Sequence, residues 1–127
     1  MKIETPISVG EYIDKLSILL IKKEKINDPT KLNNIKKEID LLLSKASNFK
    51  APELNFWTDK MKAINLVLWE IEDQIRLKEK NKEFDQDFIK LARKVYYTND
   101  ERFIIKNEIN KLFQSEIFEQ KSYEDYK

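Results

Sequence analysis

SVGEYIDKLSILLIKKEKIN, residues 8–27, decides the fold. Ser8 with Glu11 three positions on is the pattern of a capping box. The serine oxygen takes a backbone N–H and the glutamate reaches back to the cap. From there Val9, Tyr12, Ile13, Leu16, Leu19 and Leu20 recur at helical spacing on one broad face, while Ile18 and Ile21 fall elsewhere on the wheel. The segment LSILLI is therefore apolar most of the way round. A helix of that kind is central in a core or lies at a subunit interface.

Working outward, MKIETPI at residues 1–7 predicts an extended arm, because Pro6 biases Thr5 away from helix. Asp28-Pro29 ends the first helix. Thr30 is the expected cap of a second, whose stripe is Leu32, Ile35, Ile39, Leu42, Leu43, Ala46 and Phe49. After Lys50-Ala51-Pro52 a third helix is expected from Glu53 or Asn55 to Lys80, with Trp57, Met61, Ile64, Leu68, Ile71 and Ile75 inward. A fourth covers Gln86 to Tyr97, burying Phe88, Leu91, Ala92 and Val95. Thr98 and Glu101 form a second capping box, which predicts a fresh helix from Asn99 carrying Ile105, Ile109, Leu112 and Phe113. One kinked rod is the alternative. Residues 116–127 have no period and form a tail. The fold class is all-α, an antiparallel bundle of four to five helices in one domain spanning residues 1–127.

Composition supports this. One Gly and three Pro among 127 residues leave too little turn chemistry for a β-sandwich or barrel. With no Cys there is no disulfide framework or thiolate nucleophile, and with no His there is no imidazole base or usual zinc ligand set. No cofactor is expected. A net charge of +1 without a basic stripe argues against nucleic acid as partner. No apolar run approaches the roughly 18 residues of a membrane span, and residues 1–8 do not read as a signal peptide, so a cytoplasmic protein without membrane insertion is expected.

Chemistry is sought first at the arginines. The chain holds 21 Lys but only 3 Arg, so Arg76, Arg93 and Arg102 mark places where a planar, bidentate fork is wanted. Such forks serve either a helix terminus and an internal carboxylate, or an anion or partner. On the third helix Asn65, Trp69, Glu72, Asp73 and Arg76 share a face away from the main stripe, and a tryptophan among polar groups suggests helix packing, a ligand or a subunit contact. Asp14 lies on the first helix's Ile18/Ile21 side, where a charged cluster with Lys15 and one of the arginines is expected. The segment YYTNDER, Tyr96 to Arg102, adds Asn99 and Asp100 at the expected helix start, where capping competes with an anion site. Three acid pairs at i, i+3 (Glu11/Asp14, Glu70/Asp73 and Glu116/Glu119) could hold magnesium on a helix. About four are expected by chance at this acid content, so no metal site is assigned.

PISVGEYIDKLSILLIK (Pro6–Lys22), LWEIEDQIR (Leu68–Arg76) and FIKLARKVYYTNDERFIIKNEIN (Phe88–Asn110), followed by EQKSY, together resemble a family of short bacterial proteins known only as a domain of unknown function. Leu20 stands where the family pattern carries an acid. The resemblance implies no catalytic or binding residue, and it implies a setting near surface-polysaccharide synthesis.

The functional expectation is a non-catalytic helical accessory protein, a homodimer or other oligomer that binds a protein partner or a small anion. The candidate residues are Asp14, Lys15, Trp69, Asp73, Arg76, Arg93, Asn99, Asp100 and Arg102. One rival is a small all-α enzyme that acts on an anionic metabolite by Arg/Lys electrostatics, as chorismate-mutase-like bundles do. A weaker one is a magnesium-dependent nucleotide hydrolase. Convergence discriminates, since an enzyme needs two cations and an acid around one pocket.

Overall fold

The computed structural model describes residues 1–127 and contains four α-helices: α1 (Val9–Lys25), α2 (Pro29–Leu43), α3 (Ala51–Lys80) and α4 (Gln86–Leu112). A short 3-10 turn, Ala46–Asn48, follows α2. The second helix thus ends before Phe49, whose ring still reaches the core by stacking on Tyr12 at 5.5 Å. Asp28, not Thr30, caps α2. Its carboxylate accepts from the backbone N–H groups of Thr30 and Lys31, and Pro29 takes the first helical turn, where its missing N–H costs nothing.

The expected junction at Thr98 does not exist. Residues Gln86 to Leu112 form one helix of 27 residues, and Thr98 is buried in its middle. No Gly or Pro interrupts the hydrogen-bond ladder there, and a serine or threonine three residues before an acid is as compatible with a helix interior as with a start. The real cap is Asp85, which accepts from Phe88 N–H at 2.9 Å.

Helices α3 and α4 form an antiparallel hairpin. Lys78 beside the turn bonds Glu83 and Asp85, and Lys60 near the far end meets Glu108 at 3.3 Å. At 30 residues α3 is about 45 Å long. The shorter α1 lies against both members of this hairpin and against α2, and so is the central helix. That position explains LSILLI: Leu16, Leu19 and Ile21 are buried, with Ile18 and Leu20 half-buried beside them. The core unites Tyr12, Ile13, Leu16 and Leu19 with Ile35 and Ile39 of α2, Leu54 and Met61 of α3, and Ile109 of α4. No helix is long and apolar enough to cross a membrane.

The tail does not hang free. Glu119 reaches Lys106 at 2.7 Å, and Tyr126 packs edge-on against Tyr96 and Tyr97 while its hydroxyl donates to Asp100. Partial burial among these rings, followed by the Asp100 carboxylate, pushes the Tyr126 phenol from 10.0 up to about 12. A raised phenol pKa stabilises the neutral, docked form. The contact is fully present below the ordinary tyrosine value and is lost as pH rises through the raised one. Ultraviolet titration of the phenolates should therefore show a late step that Tyr126→Phe removes and Asp100→Asn moves to lower pH. Loss of an ordinary step near 10.0 in Tyr126→Phe, with no change in Asp100→Asn, would mean the tail is undocked in solution.

Candidate functional site

The site begins where α1 meets the C-terminal end of α4. A helix N-terminus leaves backbone N–H groups without partners. Here Ser8 Oγ accepts from Glu11 N–H at 3.1 Å, Asn110 Oδ1 from Gly10 N–H at 2.6 Å, and Ser115 Oγ from Val9 N–H at 3.2 Å. Only half of the expected capping box forms, because the Glu11 carboxylate turns instead to Lys106 Nζ at 2.8 Å. The positive end of the helix is thus closed by its own Ser8 together with two side chains from the other end of the chain.

One turn further along α1, Asp14 is 1% exposed. Its Oδ1 accepts from Arg102 Nε at 3.0 Å and from Asn65 Nδ2 at 2.8 Å, and its Oδ2 accepts from Arg102 Nη2, which completes a fork. Asn65 Nδ2 also donates to Ser17 Oγ at 2.8 Å, and Ser17 Oγ donates to the Asp14 carbonyl at 2.7 Å. Lys106, 7% exposed, lies 3.8 Å from Asp14 Oδ2 and holds Glu11 and Glu119. Three helices and the tail therefore share one buried network of charge.

The cations in it are held protonated. The hydrogen bonds that Arg102 donates to Asp14 raise its pKa against an opposing effect of burial, with the charges of Asp14, Glu11 and Glu119 adding to the rise. Burial, the largest single effect on Lys106, lowers its pKa. The bonds to Glu11 and Glu119 and the charges of Glu11 and Asp14 more than offset it, so the net direction is upward.

Beside this network a cleft of about 420 Å³ opens between α1, α3 and α4, lined by Ile18, Ile21, Asn65, Leu68, Trp69, Glu72, Asp73, Arg76, Asn99 and Arg102. Of the residues singled out in the sequence, Trp69, Asp73, Arg76, Asn99 and Arg102 thus share one wall system, with Asp14 immediately beneath Arg102. Asn99 Oδ1 accepts from Arg102 Nη1 at 3.3 Å. Arg76 is exposed and pairs with Glu72 one turn back, at the i, i+4 spacing its long side chain reaches easily.

The other candidates lie elsewhere. Lys15 is exposed on α1, in the groove under the N-terminal arm near Glu38 and Lys45, and does not line the cleft. Arg93 is exposed over the Tyr97 ring at 5.8 Å, and Asp100 receives Tyr126. No group of three or more acidic side chains is arranged to hold a metal ion.

Sequence reasoning missed Lys106, Asn110 and Gly10. A usable signal was present. Arg102, Lys106, Ile109 and Asn110 fall on one face of α4, so polar residues occupy core positions, and the chain's single glycine sits inside a helix.

Replacing each arginine by lysine separates the fork from the charge. Arg102→Lys should cost about 1–3 kcal/mol in denaturant unfolding, because hydrogen bonds to a charged, buried partner are lost. Arg76→Lys and Arg93→Lys should unfold like the parent. Equal behaviour of all three would remove the network from any account of stability.

Fold and site together define a small all-helical protein organised about a buried ion-pair network with an adjoining cleft. The chain belongs to a family of unknown function (DUF6165), which matches it over residues 1–126. No curated protein and no solved structure matches the chain.

Proposed function

We propose that this is a non-catalytic cytoplasmic interaction protein, homodimeric or bound to a protein partner, that uses the α1/α3/α4 cleft as its binding surface. The observation that carries this reading is that the cations gathered at the site are engaged by carboxylates of the chain itself. Arg102 forks Asp14, Arg76 pairs with Glu72, and Lys106 is ringed by Glu11, Asp14 and Glu119. A lysine whose pKa is raised is a poor base or nucleophile at neutral pH. Arginine forks already closed on carboxylates offer an anionic transition state little. The small-anion half of the expectation therefore has less support than the partner half.

Self-association draws support from α3, where Phe56, Val67 and Leu77 are exposed. The central placement of α1 accounts for that helix's own apolar surplus and removes it from this argument. Light scattering at high micromolar concentration should give a dimer mass, returned to monomer by Val67→Asp with unchanged helicity. A monomer throughout would end the homodimer reading.

The cleft itself is tested by nitrogen-15 NMR against a panel of small anions, cations and polyols. Perturbations should concentrate at Ile18, Asn65, Leu68, Trp69 and Asn99, with the ligands recovered unchanged. Perturbations clustered elsewhere would overturn the reading. Conversion of a ligand would turn it into the electrostatic enzyme, which the shared placement of Arg76, Arg102 and Asp73 favours.

A further inference from the structure

Two polar features of the cleft have no partner within the chain. Asn65 is 5% exposed, and both hydrogens of its Nδ2 are taken, by Asp14 Oδ1 and by Ser17 Oγ. An ionised carboxylate only accepts, so the amide nitrogen must face Asp14 and the amide oxygen must face away. That Oδ1 makes no hydrogen bond and belongs to a residue of the cleft wall. The other feature is Asp73. Arg76 and Arg102 are held by Glu72 and Asp14, whereas Asp73 pairs with no cation and leaves one uncompensated negative charge on the wall.

Between them stands Trp69, half-buried, one turn from each on the same face of α3. Lys60 lies over the ring of Trp57 at 5.0 Å, but no cation of the chain covers Trp69. A free amide acceptor, an aromatic face and an unpaired carboxylate call for N–H donors with a positive charge. Asn65 and Asp73 are eight residues apart, about 12 Å along the helix, so the occupant is extended rather than compact. An anion would meet engaged guanidinium groups and the Asp73 charge.

Accepting the cleft as the binding surface, we propose that its occupant is an elongated organic cation. A guanidinium or ammonium head stacks on Trp69 and pairs with Asp73, and a second N–H, a short chain away, donates to Asn65 Oδ1. The volume of about 420 Å³ suits one such molecule or one basic side chain with its backbone N–H. The two sources share this chemistry and are separated by experiment.

Nitrogen-15-labelled protein would be titrated at constant ionic strength with agmatine and, in parallel, with N-acetyl-arginine amide. The Trp69 indole N–H should shift saturably while that of Trp57 does not. Asp73→Asn should weaken binding about threefold to fivefold, and Asp73→Lys should abolish it. Glu70→Gln, on the same helix but off the cleft, should change nothing. Saturation by agmatine alone points to a free amine, and saturation by the arginine amide as well points to a basic residue of a polypeptide. The proposal is overturned if neither probe exceeds the effect of sodium chloride, or if Asp73→Lys binds like wild type. A saturable shift with phosphate or a neutral sugar instead overturns it while leaving the cleft as the binding surface. Shifts confined to other surfaces remove both.

Discussion

Asp14→Ala is expected to lower unfolding stability by about 3–5 kcal/mol, because removing one partner of a buried ion pair leaves the other uncompensated. The alanine would strip the fork from Arg102, take an acceptor from Asn65 Nδ2 and remove one of the two α1 carboxylates that face Lys106. Arg102 is 26% exposed and can partly rehydrate, which places the result toward the lower end of that range. Urea unfolding with an unchanged dependence on denaturant is the measurement. A loss below about 1 kcal/mol would show a solvated pair rather than a buried one.

The pH dependence has a definite sign. Arg102 and Lys106 both have raised pKa values, so their contribution is fully present below the ordinary lysine value of 10.5. It is lost only as pH rises through the raised Lys106 value. Stability should therefore hold across neutral pH and fall on the alkaline side, whereas Lys106→Gln, with no proton to lose there, should be less stable at neutral pH and lack that share of the alkaline fall.

Gly10→Ala should destabilise by about 2–4 kcal/mol, although alanine is the better helix former by about 1 kcal/mol. A Cβ at this position would meet the Lys106 carbonyl oxygen at 2.6 Å and Asn110 Oδ1 at 3.0 Å. The first contact is backbone and cannot swing aside. Relief requires α1 and α4 to separate, which breaks the Gly10 N–H bond to Asn110 and leaves a buried donor unmet. Thermal unfolding decides the matter. A melting temperature equal to or above wild type would show that the helix ends separate easily and that propensity dominates.

Both substitutions act at the contact between α1 and α4, nearly the full length of the chain apart in sequence. That distance explains which features were legible in advance. Helix α1 could be placed from its periodicity and Ser8, and α3 from the regular recurrence from Trp57 to Ile75, because a helix's apolar stripe and cap are local. Asp14 was singled out by its apolar flanks, and Trp69 by its polar neighbours. Each is a departure from pattern within one helix. The partner of Asp14 could not be chosen among three arginines, since that depends on which turn of α4 faces α1.

Residue types and spacing, acting through helical hydrogen bonding and apolar burial, thus determined an all-helical chain with α1 as its most apolar element. They also excluded imidazole and thiol chemistry. Only packing decided that Thr98 lies inside α4, that Arg102 rather than Arg76 or Arg93 takes Asp14, and that Lys15 is exposed while Lys106 is buried. The physical reason is range: propensity, caps and i, i+4 pairs act within a turn or two. Charge pairing and close approach depend on crossing points set by the summed fit of all four helices.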